Sequence, residues 1–267
     1  MEHIEVYRIM LDEMKYIIRG DDLVINKNLI VHNPTVRELI EYGEKNYDAD
    51  VNAITLRPYD ACVMLDQMGI NYQEIQDYDL FVATIRGTLP HESVLLPGIN
   101  FSEMDIGIHP DNGRRILYNP KTSFIFDELM YAQLVEYVRG IHFIRYAVEF
   151  DAGNEATRKI LIKRMKRAEE RRKRTPTTSQ YAPIISSLVN NPNFKYDYSS
   201  VMDIKVSQLW DAFYHINKFQ SYQHTMLGIY TGNIDASKID KDALTWFGRI
   251  DINENKMDKS KAIATTR

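Results

Sequence analysis

The hydrophobic pattern of the first fifty residues predicts a β-hairpin followed by a helix. Two short apolar runs in "DDLVINKNLIV" flank Asn26 to Asn28, a pattern typical of two strands joined by a tight turn. In the next stretch, "NPTVRELIEYGEKNY", five positions recur at helical spacing and form one stripe: Val36, Leu39, Ile40, Gly43 and Tyr47. We expect this stripe to pack against the hairpin.

The start of that helix carries a capping signal. Thr35 is suited to accept a hydrogen bond from a first-turn N–H, and Glu38 follows three residues later, where its side chain can reach back. Pro34 prevents the helix from extending towards the N-terminus. The pattern therefore predicts a capping box between Thr35 and Glu38, which is a structural role.

Further helical patterns lie at residues 58–68 and 77–85, and an extended region runs from 94 to 118. The segment "MDIGIHPDNGRRILY" alternates on both sides of a Pro-Asp-Asn-Gly turn, which predicts a second hairpin. Ser123 is expected to cap a long helix that continues towards Phe150, with a weak point at Gly140. The apolar residues of this helix are Phe126, Leu129, Met130, Leu134 and Tyr137.

A change of composition after Gly153 predicts how the chain is divided. A basic segment leads into "TPTTSQYAP", whose Pro, Thr and Ser are typical of a linker or an exposed loop. After Tyr198 a helical pattern returns with a broad apolar face: Val206, Leu209, Trp210, Phe213, Ile216 and Phe219. We predict an α+β, mostly helical protein in which small N-terminal hairpins pack on helices. Its parts are an α+β N-terminal domain (1–152), a basic helix and linker (153–181), a helical C-terminal unit (182–250) and a disordered tail (251–267).

Composition restricts the class of protein. The chain has 267 residues, of which 44% are hydrophobic and 26% are charged, values typical of a globular protein. No apolar run reaches the roughly 18 residues of a membrane span, and the charged N-terminal stretch differs from a secretory signal. The single cysteine, Cys62, excludes an intrachain disulfide and is expected to be a buried packing residue. We therefore expect a cytoplasmic protein.

Positive charge is concentrated in residues 158–174. Ten basic residues stand there against two glutamates, a local charge of +8, so the net charge of −4 leaves −12 for the rest of the chain. The ten are Arg158, Lys159, Lys163, Arg164, Lys166, Arg167, Arg171, Arg172, Lys173 and Arg174. We expect a solvated helix or a contact with an acidic partner, because Leu161, Met165 and Ala168 form an apolar stripe suited to a protein. Phosphate contacts with nucleic acid are the alternative, although no aromatic residues are interleaved for base stacking.

The sequence contains no recognisable motif for catalysis or metal binding. Its seven histidines are scattered, with no pair four residues apart and no HExxH pattern. Phosphate-loop, dinucleotide-binding and GxSxG signatures are absent from the sequence. The acidic "DYD" at Asp77 to Asp79 is interpreted as solvated surface. We expect a protein that is not an enzyme and that binds neither a metal nor a cofactor.

The segment "NPTVRELIEYGEKNYDAD" and the hairpin before it resemble the N-terminal region of a known family. The family is that of tail assembly chaperone-like proteins from long-tailed phages and prophages of Gram-positive bacteria. The matching positions are Pro34, Thr35, Arg37, Glu38, Gly43, Glu44 and Tyr47. The specific part covers about fifteen residues, and the chain departs from the family in being longer than many such chaperones.

The resemblance implies a non-enzymatic factor in the host cell cytoplasm that binds the phage tape measure protein and recruits tail tube protein. It also implies that the factor is absent from the finished virion. Helices with methionine and aromatic faces can cover the apolar stripes of such a partner. The candidate contact residues, for which core packing is the alternative, are Met64, Met68, Met130, Tyr131 and Tyr137.

Two other functions remain open at this point. One is a structural virion component such as a head-tail connector, which would form a symmetric homo-oligomeric ring. The other is a nucleic-acid-binding phage protein that acts through the basic helix 158–174.

Overall fold

A computed structural model describes residues 11–109, 113–146, 153–174, 179–239 and 244–247. The first half contains β1 (Leu23–Asn26), β2 (Leu29–Val31), α1 (Val36–Tyr42), α2 (Glu44–Thr55), α3 (Cys62–Gln67), α4 (Asp77–Thr88), β3 (Asp105–Ile108) and β4 (Arg115–Asn119). The second half contains β5 (Phe124–Phe126), α5 (Glu128–Ile141), α6 (Glu155–Arg174), α7 (Tyr181–Val189) and α8 (Val206–Tyr230). The fold is α+β and mostly helical, with two small antiparallel sheets, as predicted.

Both hairpins predicted from the sequence are present. β1 pairs with β2 so that Leu23 lies opposite Val31, and β3 pairs with β4 so that Ile106 lies opposite Leu117. A strand that the pattern did not predict, β5, adds to β4 and completes a three-stranded sheet. Val31 lies in the same buried cluster as Leu39 of α1, so the first hairpin packs on the helix that follows it.

The predicted capping box is present at the start of α1. The Thr35 backbone N–H donates to Glu38 Oε2 at 2.7 Å, and the Glu38 N–H donates to Thr35 Oγ1 at 3.2 Å. The pattern predicts one helix here, but the structure has two, because Gly43 at φ 96° separates α1 from α2. Tyr47 of α2 is buried whereas Ile40 is 42% exposed, so the predicted stripe is interrupted.

The predicted start of the long helix at Ser123 is wrong. Phe124–Phe126 form β5, and α5 begins behind Asp127, whose Oδ1 accepts a hydrogen bond from the Met130 N–H at 2.9 Å. Asp127 is therefore the N-cap of this helix. The helix ends at Ile141 and does not continue towards residue 150.

The main core unites the N-terminal elements with α7 and the first part of α8. Tyr181, Leu188 and Leu209 belong to the same buried cluster as Leu39 and Tyr47. α7 begins within the stretch predicted as a linker. The predicted boundaries near residues 152 and 182 stay a prediction, but residues 181–209 share one core with the N-terminal region.

Backbone hydrogen bonds also join these two parts of the chain. The Val36 N–H donates to the Ile204 carbonyl at 3.0 Å, and the Val206 N–H donates to the Pro34 carbonyl at 2.8 Å. Between these bonds, Thr35 and Lys205 form an isolated antiparallel bridge. The start of α1 is thus held against the start of α8.

A second, smaller buried cluster lies beside α3 and consists of Tyr59, Ala61, Cys62, Leu65, Tyr72, Leu80 and Ile162. Cys62 is fully buried, and burial raises the pKa of its thiol, which agrees with the predicted packing role. Ile162 is the residue that α6 contributes, so the basic helix packs on α3.

Several predictions fall outside the described residues. They concern the Pro-Asp-Asn part of the second turn (110–112), residues 175–178 of the linker and the tail (251–267). Within the described part of the chain, no helix is both long enough and apolar enough to cross a bilayer.

Candidate protein-binding surface on the basic helix

The basic segment forms the 20-residue helix α6, whose first turn is held by local polar contacts. Asn154 Oδ1 accepts a hydrogen bond from the Thr157 N–H at 2.8 Å and so satisfies a first-turn donor. Glu155 forms ion pairs with Arg158 at 2.9 Å and with Lys159 at 3.4 Å. The hydrogen bond from Arg158 lowers the pKa of Glu155 to about 2. These contacts one turn apart stabilise a helix whose many like charges repel one another.

α6 packs on α3 through one narrow face. Ile162 is buried in the small cluster, and Leu161 and Met165 are half-buried against it. Arg158 reaches α3, with 3.5 Å between its Nη1 and Oδ1 of Asp66. Ile162 is the only buried residue of α6, so most of this helix remains accessible to a partner.

A groove of about 630 Å³ runs along α6, opposite the turn that precedes α3. Its apolar lining contains the whole stripe predicted from the sequence and one further residue: Leu161, Met165, Ala168 and Tyr59. Its charged lining consists of Arg164, Arg167, Glu170, Arg171 and Arg174. From residue 161 to residue 174 the lining follows about 20 Å of helix, at ~1.5 Å per residue.

Nine of the ten basic residues of α6 fall into a paired and an unpaired set, and the tenth, Arg171, has a polar or electrostatic contact of its own. Arg158, Lys159 and Lys173 form ion pairs with carboxylates of the described chain. Among the residues that the structure describes, no ion pair involves Lys163, Arg164, Lys166, Arg167, Arg172 or Arg174. Three arginines of this unpaired set line the groove. The groove therefore combines an apolar floor with cations that lack a counter-charge within the described part of the chain.

The five candidate contact residues are divided by the fold. Met64 lies in α3 and Met68 directly follows it, and the two residues are 38% and 66% exposed. α6 packs on this helix. Met130 is half-buried and packs against the main core. Tyr131 and Tyr137 are core residues, only 6% and 1% exposed, which agrees with the core-packing alternative. A buried ring can reach a partner only if the core opens.

The motif that carries the family resemblance has structural positions throughout. The capping box, Gly43 and Tyr47 are described above. Arg37 forms an ion pair of 2.9 Å with Asp203, which lies in the segment that leads into α8. Glu44 lies in the first turn of α2, where a carboxylate is favoured by the helix dipole. Just before the motif's proline, Asn33 Nδ2 donates to Ser207 Oγ at 2.9 Å. The motif therefore has a role in the fold, because its residues contact the segment that leads into α8.

A buried polar cluster, which no sequence pattern predicts, surrounds Asp50. This carboxylate is fully buried, and its Oδ2 accepts from Tyr42 at 2.6 Å and from Ser93 at 2.5 Å. His91 Nε2 lies 3.3 Å from the other carboxylate oxygen. The contacts tie the loop after α4 to α1 and α2.

No metal site is formed by the side chains that the structure describes. Across that part of the chain, no group of three or more His, Cys, Asp and Glu residues is placed to hold an ion. Tyr59 is the groove residue that sequence analysis missed. No local pattern identifies it, because its position opposite α6 depends on packing between segments distant in the sequence.

A known family model matches the C-terminal part of the chain. Residues 180–251 are similar to a family model described as the YomV second domain, and this region contains α7, α8 and the segment after them. No curated protein and no solved structure matches the chain. YomV-like proteins are a phage-associated family, and the matched segment covers 72 of the 267 residues of this chain.

Proposed function

We propose that this protein is a non-enzymatic phage tail assembly factor that binds the tape measure protein and assists tail tube assembly. The resemblance of residues 33–50 to tail assembly chaperone-like proteins supports this role. The similarity of residues 180–251 to a phage-associated domain supports the phage context. The observation that carries the proposal is the accessible surface of α3 and α6, which offers apolar contacts to a protein partner.

This surface matches the needs of a partner made of long amphipathic helices. Such helices aggregate unless their apolar stripes are covered. Met68, at 66% exposed, and Met64 offer flexible side chains that adapt to varied apolar surfaces. The groove along α6 adds a second apolar contact on the same two-helix unit.

Co-expression with the tape measure protein encoded by the same phage tests the proposal. We expect an otherwise insoluble tape measure protein to appear in the soluble fraction and to co-elute with this protein. The double variant Met64→Glu/Met68→Glu should reduce that soluble fraction. Ile108→Glu is a matched control, because Ile108 is 71% exposed but lies on β3, which pairs with β4 and belongs to neither α3 nor α6.

Two results would contradict the proposed function. One is a tape measure protein that stays in the pellet and forms no complex. The other is a stable ring formed by this protein alone in gel filtration and electron microscopy, which favours a structural connector. Nucleic-acid binding is a second candidate function, favoured by the unpaired cations of α6.

A further inference from the structure

The groove between Tyr59 and α6 combines an apolar floor with arginine side chains along one helix. We propose that it is the docking site for an acidic amphipathic helix of a protein partner. This inference deepens the proposed function and rests on it, because it assigns the partner's contact segment. The groove follows about 20 Å of α6, which corresponds to about 13 residues of a helix lying alongside it.

Charge complementarity identifies the occupant as acidic. Four arginines and one glutamate line the groove. In the described part of the chain, Arg164, Arg167 and Arg174 have no carboxylate of their own, so a partner's Glu or Asp side chains would supply the missing counter-charges. Arginine can bind a carboxylate through two parallel hydrogen bonds, which gives such contacts direction as well as attraction.

The apolar floor favours a protein helix over a nucleic acid. Leu161, Met165 and Ala168 recur at intervals of four and three residues, so they form a stripe along the groove. Leu or Met side chains of a partner helix would remove this stripe from water, whereas a phosphate backbone has no side chains to cover it. Tyr59 closes the opposite wall but is only 6% exposed, which leaves little of its ring for stacking with a base.

The expected partner segment can be described from these contacts. It is a helix of at least about 13 residues with apolar residues every three to four positions and with Glu or Asp on both sides of that stripe. A partner of this kind uses the helix-in-groove mode of recognition. Its carboxylates would meet the arginines, and its apolar stripe would meet the floor.

Fluorescence anisotropy with a synthetic peptide tests the site in the full-length protein. The probe is a labelled peptide of about 20 residues that places Leu on one helical face and Glu on both flanks, and its reference is a scrambled peptide of equal composition. The groove variant is Arg164→Gln/Arg167→Gln/Arg174→Gln. The matched control is Lys163→Gln/Lys166→Gln/Arg172→Gln, which removes the same charge from unpaired residues of α6 outside the groove.

We expect the wild-type protein to bind the amphipathic peptide and to bind the scrambled peptide at least about tenfold more weakly. The groove variant should lose about tenfold in affinity and the matched control less than about threefold, because only the former removes side chains that touch the peptide. Ala168→Trp, which fills the floor without changing charge, should also weaken binding by about tenfold. Circular dichroism establishes that each variant is folded.

Several results would overturn the groove inference. They are no binding of the amphipathic peptide, equal losses of affinity in the two triple variants, or tighter binding of duplex DNA than of the peptide. If the peptide fails to bind while co-expression still solubilises the tape measure protein, the groove inference fails and the assembly function stands. If the peptide binds but co-expression fails, the groove is a binding site for a different protein and the tape measure role is wrong.

Discussion

At the scale of single residues, His142 links the stability of the fold to pH. Its Nδ1 lies 2.6 Å from the Val138 carbonyl oxygen, and its Nε2 lies 2.6 Å from the Tyr47 hydroxyl. A neutral ring satisfies both contacts, since Nδ1–H donates to the carbonyl and Nε2 accepts from the tyrosine. Burial lowers the pKa of His142 to about 4, although the Val138 carbonyl acts in the opposite direction.

This lowered pKa predicts a loss of stability in weak acid. The unfolded chain binds a proton at His142 below about pH 6.5, whereas the folded protein binds it only near pH 4. Stability therefore falls as the pH drops through this window, by about 2 kcal/mol at pH 5 and by up to about 3 kcal/mol near pH 4. Urea unfolding of the wild type and of His142→Gln at pH 7 and pH 5 measures the effect. The variant should be less stable at pH 7 but should lose about 2 kcal/mol less than the wild type between the two values.

A second histidine provides the comparison. His224 is exposed on α8, so His224→Gln is a matched substitution that does not remove a buried ring. The wild type and His142→Gln contain the same carboxylates, so the difference between their pH profiles gives the contribution of His142. Identical profiles for the wild type and His142→Gln would show that the buried ring does not couple to pH.

Residue-scale predictions succeeded where both partners are close in the sequence. The Thr35 and Glu38 capping box was predicted because a helix start fixes both positions three residues apart. The contact between Tyr47 and His142 spans 95 positions, and Asp50 meets Ser93 across 43. Such pairs depend on tertiary packing, which periodicity does not encode.

At the scale of elements, local periodicity was ambiguous for short apolar runs. Phe124 and Phe126 fit a strand, but Phe126 also fits the three- and four-residue spacing that continues with Leu129 and Met130. Pairing of Phe126 with Leu117 of β4 decides in favour of the strand, and Asp127 then starts α5. Burial of both phenylalanines adds to that choice.

At α7, composition and tertiary packing favour different local structures. The stretch "TPTTSQYAP" is rich in residues typical of loops, yet α7 begins at Tyr181. Pro183 lies in the first turn, where the missing N–H has no intrahelical partner. Burial of Tyr181 and Leu188 in the main core then stabilises the short helix.

The element α6 also carries the test of nucleic-acid binding. Changing Arg171, Arg172, Lys173 and Arg174 to Gln removes four charges from an exposed end of the helix, so the stability should change by less than about 1 kcal/mol. We expect the wild type to bind duplex DNA weakly at ~0.15 M salt, on the order of 10⁻⁴ M or worse, because the rest of the chain is acidic. Filter binding or anisotropy at several salt concentrations measures both the affinity and its salt slope.

The wild type could instead bind duplex DNA with submicromolar affinity at ~0.15 M salt, and the fourfold variant could fail to bind it. That result would reverse the ranking of the two candidate functions of α6. In that case the slope of log affinity against log salt should also become shallower, by up to about 0.9 for each phosphate that the variant no longer neutralises. Nucleic-acid binding would then become the leading function of α6, and the acidic-helix site would have to be given up.

At the scale of the whole molecule, one part of the candidate site could be predicted from the sequence and another part could not. The basic run and the stripe of Leu161, Met165 and Ala168 are local features of one helix, and sequence analysis identified both. Neither Tyr59 nor the packing of Ile162 on α3 could be read from a local pattern. The groove exists only because α6 returns to a turn that lies about one hundred residues earlier in the chain.

The shared core predicts that the molecule unfolds as one unit up to the first turns of α8. Deleting residues 180–267 removes Tyr181, Leu188, Val206 and Leu209 from contact with the N-terminal elements. Each buried side chain of this size contributes ~1.5–3 kcal/mol, and a whole domain is stable by only ~5–15 kcal/mol. We expect residues 1–179 alone to lack a cooperative thermal transition, monitored by near- and far-ultraviolet circular dichroism.

A shorter deletion provides the contrast. Removing residues 231–267 eliminates the packing of Trp246 on Phe219, whose ring centroids lie 5.3 Å apart. Among the residues that the structure describes, the last buried residue of the main core is Leu209, which this deletion retains. That variant should keep its cooperative transition and be destabilised by less than about 2 kcal/mol. If residues 1–179 instead unfold cooperatively at the wild-type midpoint, the boundary near residue 182 separates independent domains. The backbone hydrogen bond between Val206 and Pro34 would then join two domains and would not lie within one folding unit.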